Sequence, residues 1–281
     1  MKKDYKVNSM KVTKMSESGF TLLEISIALT ILAILSYGIA GALNKVGDFD
    51  DYVENKVYLE KVQESLLTYV QVNSFLPCPD TDGDGLENRE LASPFECSDK
   101  DGQLPYLDIG VNPTDVWNQP LYYAVNNQAD NDTGTPIPIL DVDASASYFS
   151  NQTPPVFGFN TPPIGGVDTS TVPFDIDGNY MICGEASSSC SATTCQADAM
   201  ECAAIAVVIS FGKNGANTWA RRAAGTEAAL DDAETENADD DNYFWQAAGS
   251  NAAGQEFDDQ LVWLTGYDVK YAVIKSGGTL P

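Results

Sequence analysis

The stretch Gly19-Phe20-Thr21-Leu22-Leu23-Glu24 decides how the first part of the chain folds, because it opens a long apolar run. Residues 20–43 are 24 consecutive positions that carry a single charge, that of Glu24. At about 1.5 Å per helical residue, this run is long enough to cross a bilayer. The five lysines that precede it predict that the leader stays in the cytoplasm and that everything after Leu43 lies on the far side.

Three interpretations of this segment compete. A secretory signal peptide would have a shorter apolar core and a small-residue cleavage site, which Ile39-Ala40-Gly41-Ala42 could imitate. A plain transmembrane anchor explains the length but not Glu24, because a carboxylate in lipid costs a few kcal/mol unless it is paired. The third interpretation follows from a resemblance to a known family.

Residues 19–24, with the lysine-rich leader and the apolar run, resemble the type IV prepilin and pseudopilin signal. The resemblance implies that a prepilin peptidase cuts between Gly19 and Phe20 on the cytoplasmic side and that the new amino group of Phe20 is methylated. It also implies that Glu24, one helical turn away, pairs with such an amine between neighbouring subunits and helps set the filament register. An amine and a carboxylate in apolar surroundings each favour a partner of opposite sign.

Beyond Leu43 the helix is predicted to continue, because apolar residues recur at steps of three and four. The residues of this stripe, predicted to dock onto the head, are Phe49, Val53, Val57, Leu59, Val62, Leu66 and Tyr69. The expected fold is α+β and pilin-like, with a long N-terminal helix, transmembrane and then amphipathic, packed on an antiparallel-sheet head with long loops. The expected domains are a cleaved leader (1–19), an assembly helix (20–73) and a globular head (74–281).

From Phe75 onward, short apolar runs are broken by Pro, Gly, Asn and Asp, which is typical of strands joined by long loops. Strands are predicted at Leu121–Val125, Tyr180–Cys183, Ala203–Ser210 and Leu261–Leu264. The Pro-, Asn- and Thr-rich segment 126–175 is predicted to be an elaborated surface loop. Residues 231–241 hold seven acids in eleven positions, which predicts a solvated or disordered excursion.

Three stretches of the head, 115–123, 210–215 and 258–263, are similar in content and order to the major pseudopilin of type II secretion systems. The resemblance implies a second calcium site at Asp258 and Asp259. Two departures stand out: Asn118 replaces a Gly, and 42 residues separate Gly215 from Asp258, far more than in that family. The head is therefore enlarged.

An acidic loop follows Cys78, with Asp80, Asp82 and Asp84 at its first, third and fifth positions and Gly85 at the sixth. Alternate carboxylates converge on one centre and the Gly permits a sharp turn, which is the pattern of a calcium loop. The twelfth position, where an EF-hand carries Glu, is Leu91, so the loop is not a complete EF-hand. The further candidate ligands are the Leu86 carbonyl, Asn88 and Glu90. The alternative is a plainly solvated acidic turn.

The even set of six cysteines lies entirely after the apolar segment and lacks the paired spacing of a zinc site. With an export segment upstream, we expect disulfides formed in an oxidising compartment, and free core thiols are the alternative. Cys78 and Cys97 are predicted to pair and close the acidic loop. The remaining four are predicted to pair among themselves in one of three ways: Cys183, Cys190, Cys195 and Cys202.

The net charge and the residue composition disfavour several classes of partner and of reaction. The net charge is +3 over residues 1–19 and −29 over the rest, which disfavours nucleic acid and anionic lipid and favours cations as partners. The chain has no His, so most triad and zinc-hydrolase mechanisms are excluded and an enzyme is not expected. A membrane-tethered hydrolase using paired carboxylates is the weakest alternative.

The leading hypothesis is a structural subunit of a type IV pilus or a type II secretion pseudopilus. Its expected partners are other pilin or pseudopilin subunits, prepilin peptidase and an inner-membrane assembly platform. Its expected location is the bacterial inner membrane with the head in the periplasm, and then a filament in the periplasm or at the cell surface. The alternative is a minor tip-like or adhesive subunit whose enlarged head binds a substrate or surface.

Overall fold

The computed structural model describes residues 21–91, 96–125, 148–151, 155, 157, 180–184, 199–226, 232–239, 241–247, 250–252 and 255–280. The chain divides into two compact units, Met1–Asp50 and Asp51–Pro281. The first helix, α1 (Leu22–Asn73), contributes residues to both units.

In the first unit, the described apolar side chains of α1 are exposed. Leu22, Leu29 and Ile34 are 88%, 61% and 67% exposed, and the described neighbours are similarly open. Among the described residues, no helix is both long enough and apolar enough to cross a membrane. The bilayer-spanning role of residues 20–43 stays a prediction.

In the second unit, α1 buries a stripe that recurs at steps of three and four residues, as expected for the core face of a helix. Its residues are Asn55, Leu59, Val62, Leu66 and Val70. The predicted core positions Leu59, Val62 and Leu66 are therefore confirmed, and Tyr69 is half-buried against the Phe75 ring.

The prediction that the other α1 residues of the stripe are buried is wrong. Val53 and Val57 are 44% and 61% exposed, and Phe49, in the first unit, is 66% exposed. At 3.6 residues per turn, Val53 and Val57 lie on the opposite side of the helix from Leu59 and Leu66. The predicted stripe therefore combines two faces of α1. The residues from Phe49 to Val57 lie on one face, and those from Leu59 onward lie on another.

The second unit is built on a six-stranded sheet. Its strands are β1 (Asp101–Gln103), β2 (Tyr122–Val125), β3 (Tyr180–Gly184), β4 (Ala199–Ser210), β5 (Tyr243–Gln246) and β8 (Gln260–Thr265). They lie in the order β1-β2-β4-β3-β5, and β8 also pairs with β4. A separate hairpin consists of β6 (Ser250–Ala252) and β7 (Gln255–Phe257). The helices are α2 (Tyr106–Ile109), α3 (Gly215–Ala224), α4 (Asp232–Ala238) and α5 (Gly266–Lys275).

The four predicted strands are confirmed as β2, β3, β4 and β8, and β4 begins four residues earlier than expected, at Ala199. The antiparallel-only sheet is wrong, because β3 and β5 pair in parallel. The strand β4 pairs antiparallel with β2, β3 and β8, so it is the centre of the sheet. The predicted α+β fold class is confirmed.

Two loop predictions are wrong where the structure describes them. Within 126–175, Tyr148, Phe149 and Phe157 are buried rather than on the surface, and the Leu76 amide donates to the Tyr148 carbonyl at 2.8 Å. Most of that segment lies outside the described residues. The acidic segment 231–241 contains α4 instead of a solvated excursion. This segment folds because Asn237 and Ala238 are fully buried and make contacts with the rest of the head. The number of acidic residues gives no sign of these contacts.

Candidate functional site

The start of α1 carries a reciprocal hydrogen-bonded pair between Thr21 and Glu24. The Glu24 amide donates to Thr21 Oγ1 at 3.2 Å, and Glu24 Oε2 accepts from the Thr21 amide and hydroxyl, both at 3.0 Å. This is a capping box, which satisfies amides that have no partner within the helix. The T-x-x-E spacing could have revealed it. The predicted processing residues, Gly19 and Phe20, lie outside the described residues.

The loop after Cys78 brings three predicted carboxylates together. One oxygen from each of Asp80, Asp82 and Asp84 lies within 4.8 Å of the others. Asp80 is 1% exposed, and its carboxylate accepts from the amides of Gly83 and Gly85, both at 2.7 Å. Asp82 and Asp84 are exposed. Oxygen atoms clustered in this way match the ligand type that calcium prefers.

Glycine is required at the centre of this loop. Gly85 has φ +90°, and a Cβ there would lie 2.6 Å from the Tyr106 ring. Another side chain would therefore be strained by the backbone and by the ring together. The turn predicted from the Asp-Gly-Asp-Gly pattern is present for this reason.

The later candidates of the loop have other roles. Asn88 Oδ1 accepts from the Thr81 amide at 2.6 Å, so it closes the loop on itself. Glu90 is exposed and is not a member of the carboxylate cluster. Glu87 accepts from the Cys78 amide at 2.9 Å and pairs with Arg89 at 2.8 Å, so it stabilises the base of the loop.

The predicted disulfide between Cys78 and Cys97 is present, with the two Cα atoms 5.3 Å apart. Cys183 and Cys202 are also disulfide-bonded. No cysteine within the described residues is a free thiol. Cys190 and Cys195 lie outside those residues, so the pairing within the later set stays a prediction.

A second acidic cluster joins α4 to the connection between β7 and β8. Single carboxylate oxygens of Glu234, Asp258 and Asp259 lie within 4.8 Å of one another. Glu234 and Asp259 are 4% and 1% exposed. Asp258 and Asp259 were expected from the resemblance to the pseudopilin. Glu234 was missed, because 23 residues without an informative spacing lie between it and Asp258.

The electrostatics of this second cluster are unfavourable without a compensating charge. Burial raises the pKa of Asp259 well above its usual range, and the nearby Asp258 and Glu234 charges raise it further. Burial also raises the pKa of Asp258. Asp258 Oδ1 and Asp259 Oδ1 are both buried without a hydrogen-bond partner. A proton or a cation on these oxygens would relieve the cost of burial and repulsion.

The remaining carboxylate oxygens of the second cluster are held by specific donors. Asp258 Oδ2 accepts from the Lys213 amide at 2.7 Å, and Asp259 Oδ2 accepts from Asn237 Nδ2 at 2.9 Å. Glu234 accepts from the Asn214 side-chain amide. Gly212 has φ +61°, and a Cβ there would lie 2.5 Å from Asp258 Cγ. The turn at 212–214 is therefore shaped around the Asp258 carboxylate.

Arg222 on α3 binds the main chain at the end of α4. Its Nη1 donates to the carbonyls of Ala238, at 2.6 Å, and Asp239, at 3.0 Å. The guanidinium also pairs with Asp101 on β1 and lies over the Tyr122 ring, 4.6 Å from its centroid. A cation at the last carbonyls of a helix is stabilising.

The Asp115 carboxylate holds the turn at the start of the stretch 115–123. Asp115 is 5% exposed, and its carboxylate accepts from the amides of Trp117 and Gln119 at 2.9 and 2.8 Å and from Ser210 Oγ at 2.6 Å. Asn118, where the predicted resemblance implies a Gly, has φ +61°. Asn tolerates this left-handed conformation better than most residues, so the turn forms here without glycine.

Comparison with known proteins identifies one region of the chain. Residues 14–39 match the family described as the prokaryotic N-terminal methylation motif. No curated protein and no solved structure matches the chain. The similarity of the head to the major pseudopilin therefore stays a prediction. Residues 14–39 therefore carry the prepilin-type signal of type IV pilins and pseudopilins.

Proposed function

We propose that the chain is a structural subunit that polymerises through its N-terminal helix into a type IV pilus or a type II secretion pseudopilus. The observation that carries the proposal is the methylation motif at residues 14–39, which spans the predicted cleavage position after Gly19 and includes Glu24. Prepilin peptidase is the processing partner that this motif implies, and other pilin subunits are the assembly partners. The proposed role is structural and not enzymatic.

Before assembly, residues 20–43 anchor the precursor in the inner membrane, and the head lies on the periplasmic side. The support for this arrangement is the 24-residue run with one charge and the lysine-rich leader before it. An assembly platform in the same membrane would then extract the subunit into the filament. The proposed boundaries are a leader at 1–19, an assembly helix at 20–73 and a head at 74–281.

Glu24 provides the test of assembly. In the proposed filament its carboxylate pairs with a neighbouring Phe20 amine, and an unpaired charge in apolar surroundings costs several kcal/mol. We expect Glu24→Ala to leave cleavage and head folding intact and to remove filaments from the sheared or periplasmic fraction. Glu60→Ala, an exposed glutamate later on α1, is the matched control and should assemble normally. Normal filament yield with Glu24→Ala would contradict the proposal.

We also propose calcium as the ligand of the two acidic clusters. The support is the ligand chemistry: three carboxylates within 4.8 Å in each cluster, with buried unpaired oxygens on Asp258 and Asp259 in the second. At the first cluster the ligands are Asp80, Asp82 and Asp84, with the Leu86 carbonyl as a further candidate. At the second, Glu234 joins Asp258 and Asp259. Bound calcium would stabilise the head and fix the loops that it presents.

A further inference from the structure

The strand β5 is the last strand in the order of the described sheet, so one of its sides faces away from the other strands. It pairs with β3 in parallel, with Met181 opposite Tyr243 and Cys183 opposite Trp245. The Met181 amide donates to the Asn242 carbonyl at 2.9 Å. In a parallel ladder, successive residues direct their amide and carbonyl to alternate sides of the strand. Since Asn242 faces β3, the main-chain groups of Tyr243 and Trp245 point away from it.

Side chains at the end of α4 and just after it bind these outward-facing groups. Asn237 Oδ1 accepts from the Trp245 amide at 2.7 Å, and Asn237 Nδ2 donates to the Trp245 carbonyl at 3.0 Å. The Tyr243 amide donates to Asp241 Oδ1 at 2.7 Å. A carboxamide offers a donor and an acceptor together, so Asn237 reproduces the pair of bonds that a neighbouring strand would make.

Other bonds fix the end of α4 beside this edge. The second hydrogen of Asn237 Nδ2 is donated to Asp259 Oδ2 at 2.9 Å, and Asn237 is fully buried. Arg222 Nη1 donates to the Ala238 carbonyl at 2.6 Å. The side chain that covers the β5 edge is therefore held in place by the head itself.

We propose that Asn237 and Asp241 close the β5 edge against strand addition by a second copy of this chain. An edge with unpaired amides and carbonyls is a template for pairing with another chain. The strand Tyr243–Gln246 has three aromatic residues and no charge, whereas the chain as a whole has a net charge of −26 that makes copies repel. A second β5 strand therefore fits the opened edge better than the acidic remainder of the surface does.

The inference goes beyond the proposed filament role, because it requires only that copies of the head meet. Antiparallel pairing of β5 with β5 about a two-fold axis would use each edge once, so opening the edge predicts a dimer. With the edge closed, copies associate through other surfaces only.

Sedimentation equilibrium of the full chain in density-matched detergent, with a chelator present, measures the protein mass per particle. Asn237→Ala with Asp241→Ala removes the side chains that cover the edge. As concentration rises, we expect the mass of this variant to reach about twice that of the wild type at the same concentration. Val62→Ala, which removes methyl groups from the buried face of α1, controls for lost stability and should keep the wild-type mass.

A proline in β5 tests whether the association uses the main chain. The Trp245 amide is outside the β3 ladder, so proline there removes a bond that only a partner strand would make. Adding Trp245→Pro to the double variant should therefore abolish the dimer, whereas adding Trp245→Ala should retain it.

Three results would overturn the proposal: wild-type mass for the double variant, equal association with Pro and with Ala at position 245, or equal association of Val62→Ala. If the double variant does not fold, Asp241→Ala alone decides the question, because it uncovers the Tyr243 amide. Wild-type mass for that single variant would also overturn the proposal.

Discussion

Asn237 on α4 donates a hydrogen bond from Nδ2 to Asp259 Oδ2 at 2.9 Å. The same side chain accepts from the Trp245 amide at 2.7 Å and donates to the Trp245 carbonyl at 3.0 Å. One fully buried amide thus ties together a helix, an edge strand and a buried carboxylate. It explains how an acid-rich segment packs onto a head that already carries a large negative charge.

Replacing Asn237 should therefore destabilise the head. Asn237→Ala leaves the Trp245 amide and Asp259 Oδ2 without these partners, and each buried unsatisfied polar group costs roughly 1–3 kcal/mol. We expect a lower free energy of unfolding in urea, with an unchanged slope against denaturant. Asn112→Ala, at an exposed position, is the matched control. Equal stability of the two variants would show that the Asn237 bonds contribute nothing.

Calcium should stabilise the full chain, and a chelator should remove the effect. A site that binds only the folded form adds about 2.7 kcal/mol at a hundredfold excess of ion over the dissociation constant. Thermal unfolding in detergent measures the shift. Asp82→Ala with Asp84→Ala should remove the contribution of the first cluster. Glu234→Gln with Asp258→Asn should remove that of the second.

The two double variants should also differ without calcium. In chelator, Glu234→Gln with Asp258→Asn should be more stable than wild type, because one buried and one half-buried carboxylate that repel Asp259 are gone. The exposed pair Asp82 and Asp84 should have little effect there. Asp51→Asn with Glu60→Gln controls for net charge. An unchanged midpoint in wild type with calcium would contradict both sites. A shift that persists undiminished in one variant would assign calcium to the cluster left intact there.

The Cys78–Cys97 disulfide should contribute to stability, since it closes a loop with a sequence separation of 19. Cys78→Ala with Cys97→Ala should lower the free energy of unfolding by about 3 kcal/mol. Non-reducing peptide mapping should also find Cys183 and Cys202 bridged within the later cysteine set. Equal stability of the Ala variant, or a bridge from Cys78 into the later set, would contradict this account.

Much of the sheet was predictable from sequence because its strands are short apolar runs bounded by turn residues. Ala203–Ser210 is such a run, and it lies within the central strand β4. The Asp80 loop was predictable because its carboxylates follow each other closely and its glycines have a clear conformational role. The methylation motif was predictable for the same reason: its specificity is contained in adjacent residues.

The parts that could not be predicted depend on contacts between distant segments. The burial of Glu234 and Asn237 follows from donors on other elements, Asn214 and the main chain of Trp245. Likewise, the outward position of Val53 depends on which helix face the sheet covers. A count of acids or apolar residues contains no information about such partners, so α4 was misread as solvated.

The mature amino terminus tests the central claim most directly. Intact-mass and peptide mass spectrometry of the protein recovered from cell membranes or filaments should find a chain that begins with N-methyl-Phe20. The reason is the proposed cleavage after Gly19, which lies within the motif matched at residues 14–39. A chain that begins near Ala42 or Leu43 would instead indicate ordinary secretion and would contradict the pilin-like account.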